Sequence, residues 1–382
     1  MLQFTRALST LGGRLPPSNV PLRYSRSGSL QSFFGTSSNR GWILDVTQKT
    51  ETVDDFDGSM SVCYHYVTIR SNDTRKRILG RFNLGFFEDR AGVDKDAALL
   101  FLHGIFGDVK RWAGGRYWWS GQEKYKHLRS AFRRRLRGMG RQMPRMVSLS
   151  IPGLSDRAPW FLVERSDRPD SGLLGLYTDV IYPYLCEQLG AAARQLSLIG
   201  ESMGGHSALR VMLNQPAETY RRVVLLCPAL VARLSTRSSR TQLAKYSRQS
   251  GASPWVVWAA TRIGRRTFSA TQPQGGLCLM PHLEGRDLSC APPVFISLHD
   301  RDIWGFQIGA KAVAEQLEAC GADVQICEMG PHHGHIEPAP VADFLFSQPC
   351  SSLPESDMRN RSLHYEEINH EPDRDPVVLR MG

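Results

Sequence analysis

The most constraining stretch of this chain is Gly200-Glu201-Ser202-Met203-Gly204-Gly205. It follows the apolar run Leu196-Ser197-Leu198-Ile199 and opens a helix-like run over 206–213. A strand that passes through G-x-S-x-G directly into a helix is the setting of a nucleophile elbow, a turn so sharp that the serine hydroxyl projects above the sheet. Such a turn takes strained dihedrals and brings neighbouring backbone close, so glycines flank the serine. Ser202 is therefore the first candidate nucleophile, and the chain around it must build a sheet with helices laid upon it.

The remaining apolar runs supply that sheet. Ala97–Leu102 ends at His103-Gly104, Met146–Ile151 ends at Pro152-Gly153, and Val223–Cys227, Val294–Leu298 and Val324–Cys327 follow the serine. Short continuous apolar runs are what strands buried on both faces require. Helical patterns fall between them, at about 121–138, 172–189 and 306–320. Alternating strands and helices predict an α/β architecture with a mostly parallel central sheet covered by helices on both faces. On such a sheet the catalytic groups gather at the carboxyl ends of the strands. Residues 60–86 alternate (Val62, Tyr64, Tyr66, Thr68) and predict an antiparallel entry hairpin.

The chain has 382 residues, 41% hydrophobic and 22% charged, which is ordinary for a soluble globular protein and enough for a core without disulfides. Eight cysteines show no C-x-x-C pair; they read as reduced thiols without a metal signature, and no cofactor is called for. No apolar stretch approaches the ~18 residues that a membrane-spanning helix needs. Residues 1–44 contain no Asp or Glu but carry Arg6, Arg14, Arg23, Arg26 and Arg40 among Ser, Leu and Gly. That composition resembles an organelle transit peptide, mitochondrial or other; the alternative is a disordered basic tail on a cytoplasmic protein. The main α/β domain is placed at 45–347. Within it, 229–290 interrupts the strand–helix rhythm, is rich in Arg, Ser, Gly and Pro around Trp255 and Trp258, and reads as a cap over the site. Residues 348–382 form a polar tail.

The net charge of +10 is concentrated between Val109 and Arg145, where Glu123 is the lone acid among many Lys and Arg. With Trp112, Tyr117, Trp118 and Trp119, this run is a candidate surface for an anionic substrate or an acidic membrane; the alternative is a solvated helix face. No base-reading motif accompanies it, so nucleic acid is not an expected partner.

A serine hydroxyl needs an imidazole to take its proton and a carboxylate to hold that imidazole. After the Val294–Leu298 strand stands His299-Asp300-Arg301-Asp302; Asp302 is the preferred acid and Asp300 the alternative. After the last strand stands His332-His333-Gly334-His335. His335 is preferred as base because Gly334 permits a tight approach, His333 is next and His332 last; a loop binding adventitious metal is a fourth reading. The oxyanion of acyl transfer needs backbone N–H donors. The amides of Met203, just after the nucleophile, and of Ile105, in the loop His103-Gly104-Ile105-Phe106-Gly107, are the candidates.

Four segments together resemble the α/β-hydrolase family of esterases, lipases and thioesterases over about 60–347. Leu102-His103-Gly104-Ile105 is similar to its oxyanion loop, and Pro152-Gly153-Leu154-Ser155-Asp156-Arg157 to its P-G-x-G-x-S segment, one residue short. Gly200–His206 resembles the esterase-type elbow, and Gly334-His335-Ile336 the terminal Gly-His. The resemblance implies a cofactor-independent serine hydrolase cleaving a carboxylic ester or thioester, lipid acyl esters included, through Ser202, His335 and Asp302. An acyltransferase or peptidase would use the same parts, and a non-catalytic binding protein on the same fold is the alternative of another class.

Overall fold

The structure is a computed structural model. It describes residues 42–71, 78–104, 108–113, 124–151, 173–230, 279–300, 302, 304–330 and 335–347, with a few positions between 248 and 258. The expectations for residues 1–41, for Pro152–Arg157, for the greater part of 229–290 and for the tail after 347 lie outside the described residues.

Among the described residues there are nine strands: β1 (Trp42–Asp54), β2 (Ser59–Ser71), β3 (Ile78–Asp89), β4 (Val93–Leu102), β5 (Met143–Ser150), β6 (Leu196–Glu201), β7 (Val223–Leu226), β8 (Val294–Leu298) and β9 (Val324–Glu328). They form one sheet in the order β1-β2-β3-β5-β4-β6-β7-β8-β9. β1, β2 and β3 meander antiparallel, and β3 meets β5 antiparallel with Gly85 opposite Ser148. From β5 to β9 every pairing is parallel. The expected hairpin is β2–β3. β1 is an added strand that begins at Trp42, inside the stretch 1–44 assigned to the extension; its run Thr47-Gln48-Lys49-Thr50-Glu51-Thr52 is polar on both faces and gives no alternating signal.

The longer helices are α1 (Lys124–Gly138), α2 (Tyr182–Leu189), α3 (Met203–Leu213), α4 (Phe306–Ala319) and α5 (Pro338–Phe346). Each buried strand feeds two cores. Leu100, Leu198, Leu225 and Ile296 pack with Leu185, Leu209 and Val313 of α2, α3 and α4 on one face. Phe101, Ile199, Val224 and Phe295 pack with Phe132 of α1 and Leu345 of α5 on the other. Burying each such side chain contributes about 1.5–3 kcal/mol, and this is why the strand sequences are apolar without alternation. The sequence pattern did not reveal α5, because Pro338 and Pro340 read as breakers. Both lie in its first turn, where a missing N–H removes no helical bond.

The basic run does not stand unopposed. Arg129, fully buried, bonds Asp55 and the Trp112 carbonyl, while Arg133 reaches Asp55 at 2.7 Å, Asp57 at 2.9 Å and also Asp89. Arg145 pairs with Glu88 at 2.8 Å and Arg135 with Asp343 at 3.1 Å. The acids that neutralise α1 come mostly from the β1–β3 meander, distant in sequence, so a local count of charge missed them. Arg134 and Arg137 face water.

Residues 279–290, assigned to the cap, pack on the body instead. Leu279 and Leu283 are fully buried, the Leu288 N–H donates to the Cys320 carbonyl at 2.7 Å, and Cys320 Sγ donates to the Leu283 carbonyl at 3.1 Å. Upstream, Trp255 and Trp258 are exposed. No helix among the described residues is long and apolar enough to cross a membrane.

Candidate active site

β4 and β6 are parallel neighbours, with Leu102 opposite Gly200, so both release the chain at the same rim of the sheet. Ser202 stands immediately beyond β6 with φ 52° and ψ −113°, one residue before α3. A non-glycine residue in this region costs about 1–3 kcal/mol and persists only where its surroundings over-determine it. Here they do. The Ser202 N–H donates to the Leu226 carbonyl at 2.8 Å, and its carbonyl accepts from the Ala229 N–H at 2.8 Å and the Gly205 N–H at 3.0 Å. The backbone of β7 and the chain after it thus clamp the turn.

Two glycines explain the rest of the elbow. A Cβ on Gly204 would overlap the Leu102 carbonyl, so nothing larger fits where α3 crosses the end of β4. A Cβ on Gly104 would stand 3.2 Å from the Ser202 Cβ. The His103-Gly104 turn therefore lies against the serine, steadied by the buried His103, whose Nδ1–H donates to the Gly104 carbonyl at 2.7 Å. Ile105, the expected second oxyanion donor, lies outside the described residues.

The acid candidates separate by burial. Asp300 is exposed, whereas Asp302 is 2% exposed in a tight loop after β8. Its N–H donates to the His299 carbonyl at 3.1 Å, and its Oδ1 accepts the Trp304 N–H at 2.8 Å. His335 is half-buried after β9, its ring laid against Gly330: a Cβ there would stand 3.1 Å from His335 Cδ2. His332, His333 and Gly334 lie outside the described residues. The loops after β8 and β9 are tied together, because His299 Nδ1–H donates to the Gly330 carbonyl at 2.8 Å. Ser202, Asp302 and His335 thus follow the carboxyl ends of β6, β8 and β9, three parallel strands of one sheet.

Two features were not anticipated. His299 is one, read from the sequence only as the neighbour of Asp300. The other lies beneath the serine: the buried Glu201 carboxylate is bonded by Lys124 and Tyr125, the first two residues of α1. A charged residue between an apolar strand and the elbow was the available signal, and a buried ion pair was the meaning it carried. His206 is fully buried within α3. Among the described residues no cluster of His, Cys, Asp and Glu could hold a metal ion.

Residues 99–344 match the profile of the Alpha/beta hydrolase family, nearly two thirds of the chain. The chain belongs to the alpha/beta hydrolase family. Solved structures similar to this alpha/beta hydrolase include an esterase from the bacterial hormone-sensitive lipase family (16% identity, 69% of this chain and 80% of that one, TM-score 0.42). An esterase from Pyrobaculum calidifontis is similar at 16% identity over 78% of this chain and 84% of that one, with a TM-score of 0.43. The Francisella virulence factor BioJ is similar at 16% identity over 74% and 85%, with a TM-score of 0.42. No curated protein matches this alpha/beta hydrolase.

Proposed function

We propose that this alpha/beta hydrolase is a serine hydrolase that cleaves a carboxylic ester or thioester through an acyl-enzyme. The observation that carries the reading is Ser202 at φ 52° on the β6–α3 turn, with Gly104 against it. A strained serine at this point projects its hydroxyl over the rim where α3 begins, and the Met203 amide opens that helix, where no carbonyl of an earlier turn is there to accept from it.

In this reading Ser202 Oγ attacks the acyl carbonyl while His335 takes its proton. Asp302 orients the imidazole and stabilises its charged form; its burial and its fixed Oδ1 suit that role better than the exposed Asp300. The Met203 and Ile105 amides hold the oxyanion, each worth about 3–4 kcal/mol to the transition state. His335 then protonates the leaving alcohol or thiol, the acyl-enzyme forms, and a water activated by the same imidazole releases the acid. Lipid acyl esters belong in the first substrate panel, because Trp255 and Trp258 offer exposed aromatic surface in the segment read as a cap. In this scheme the residues before β1, 1–41, act as an organelle transit peptide; a reporter fused to them that stays diffuse in the cytosol removes that part.

The test is labelling of purified protein by a fluorophosphonate, wild type beside Ser202→Ala. Labelling lost in the variant establishes the nucleophile. A folded wild type that takes no label favours the non-catalytic alternative.

A further inference from the structure

Glu201 presents an electrostatic problem. Its carboxylate is buried beneath the residue proposed to attack, and the Gly104 turn lies on top of it. A Cβ on Gly104 would stand 3.3 Å from the Glu201 carbonyl oxygen and 3.5 Å from its Oε2. A negative charge just below the loop that receives an oxyanion opposes the reaction it adjoins. Between unit charges several ångströms apart, at an effective dielectric near 20, the opposition amounts to roughly ten- to hundredfold in rate.

The chain answers with Lys124. Its ammonium reaches Glu201 Oε1 while the Tyr125 hydroxyl donates to Oε2, and both Lys124 and Glu201 side chains are less than a tenth exposed. Lys124 opens α1, whose other buried cations are paired with Asp55, Asp57 and Asp89; this one is directed to the elbow instead. The geometry points to Lys124 as a residue that acts on the reaction through Glu201: by pairing with that carboxylate it offsets the charge that would otherwise face the oxyanion. The inference rests on Ser202 being the nucleophile.

Three variants test it: Lys124→Met, Glu201→Gln and the two combined, each measured for kcat and KM per labelled site well below its melting temperature. Lys124→Met takes the ammonium away from the carboxylate, so kcat and the rate of fluorophosphonate labelling should fall ten- to hundredfold with KM within threefold. Glu201→Gln removes the opposing charge and keeps an acceptor for Tyr125, so kcat should stay within threefold of wild type or exceed it. The double variant should recover at least threefold over Lys124→Met. A merely structural pair would lose stability in both single variants and leave kcat per folded site alike in the two. Equal kcat values for the single variants, or a fall of more than tenfold in Glu201→Gln, overturn the inference. Glu201→Gln decides the matter even if Lys124→Met does not fold. Wild-type protein in which Ser202 takes no label would instead overturn the proposed function itself.

Discussion

His299 donates its Nδ1–H to the carbonyl oxygen of Gly330 at 2.8 Å, and Gly330 is the residue against which the His335 ring lies. One hydrogen bond thus joins the loop that carries Asp302 to the loop that carries His335. His299→Ala should lower kcat about ten- to hundredfold while the protein keeps its fold, because misplacing a reacting group by an ångström costs on that order. Steady-state kinetics beside a melting curve measures both; an unchanged kcat would show that the two loops hold their places without the bond.

Asp302→Asn should lower kcat by about 10⁴ if the amide leaves the imidazole in the wrong tautomer. Asp300→Asn should leave turnover within a few-fold, since Asp300 is exposed. His335→Ala should be as damaging as Ser202→Ala. Activity that survives it and is lost in His333→Ala moves the base to His333.

Gly204→Ala and Gly104→Ala should differ sharply. The first drives a Cβ into the Leu102 backbone carbonyl and should cost more than about 4 kcal/mol or prevent folding. The second meets its nearest neighbour at 3.2 Å, a gap that a shift of a few tenths of an ångström accommodates. It should fold, lose about 1–3 kcal/mol and label slowly. Chemical denaturation and labelling kinetics of the two variants provide the comparison.

Arg129→Met removes one partner of a fully buried pair and leaves the Asp55 carboxylate without its closest cation. Breaking such a pair costs about 3–5 kcal/mol. The loss should be similar at low and at high salt, since buried charges are little screened. A change below 1 kcal/mol would mean that Arg133 alone satisfies Asp55.

Acid should destabilise the fold well above the carboxylate range. Burial pushes the His65 imidazole down to about 4, and burial with the nearby Arg210 and Arg286 charges pushes His282 down to about 4. The neutral ring matches its surroundings: Nδ1–H donates to the Tyr184 hydroxyl at 2.9 Å and Nε2 accepts from Gln48 Nε2 at 3.1 Å. Both histidines take up protons more readily unfolded, from about 6.5 downward, so stability should be full above that value and decline steadily toward pH 4. Melting temperature against pH tests this, and His65→Gln should flatten part of the slope.

The legible parts of this chain were those whose signal is local. Leu196–Ile199 followed by a glycine-flanked Ser202 specified a strand, a turn and a helix within a few residues, and Val294–Leu298 was bounded to the residue. Asp300 and Asp302 stand two residues apart after that strand, and their difference in burial is not visible in the sequence. What stayed hidden depends on distant partners. The cations of α1 looked like a surface because Asp55, Asp57 and Asp89 are strands away. β1 carried no alternation because its central stretch is polar on both faces. Glu201 offered a lone charge, and its meaning required Lys124 and Tyr125 to arrive from another helix.

The strand order also sets a timetable for the nascent chain. The elbow belongs to β6, in the middle of the chain, but the loop with His335 follows β9, the last strand of the sheet and one of its outer edges. In the proposed mechanism, a ribosome that has released everything up to α3 has made the serine but not yet the histidine that would take its proton. On that reading the site stays inert through most of synthesis and becomes competent only when the final strand docks, so the protein would not act on its substrate before it has folded.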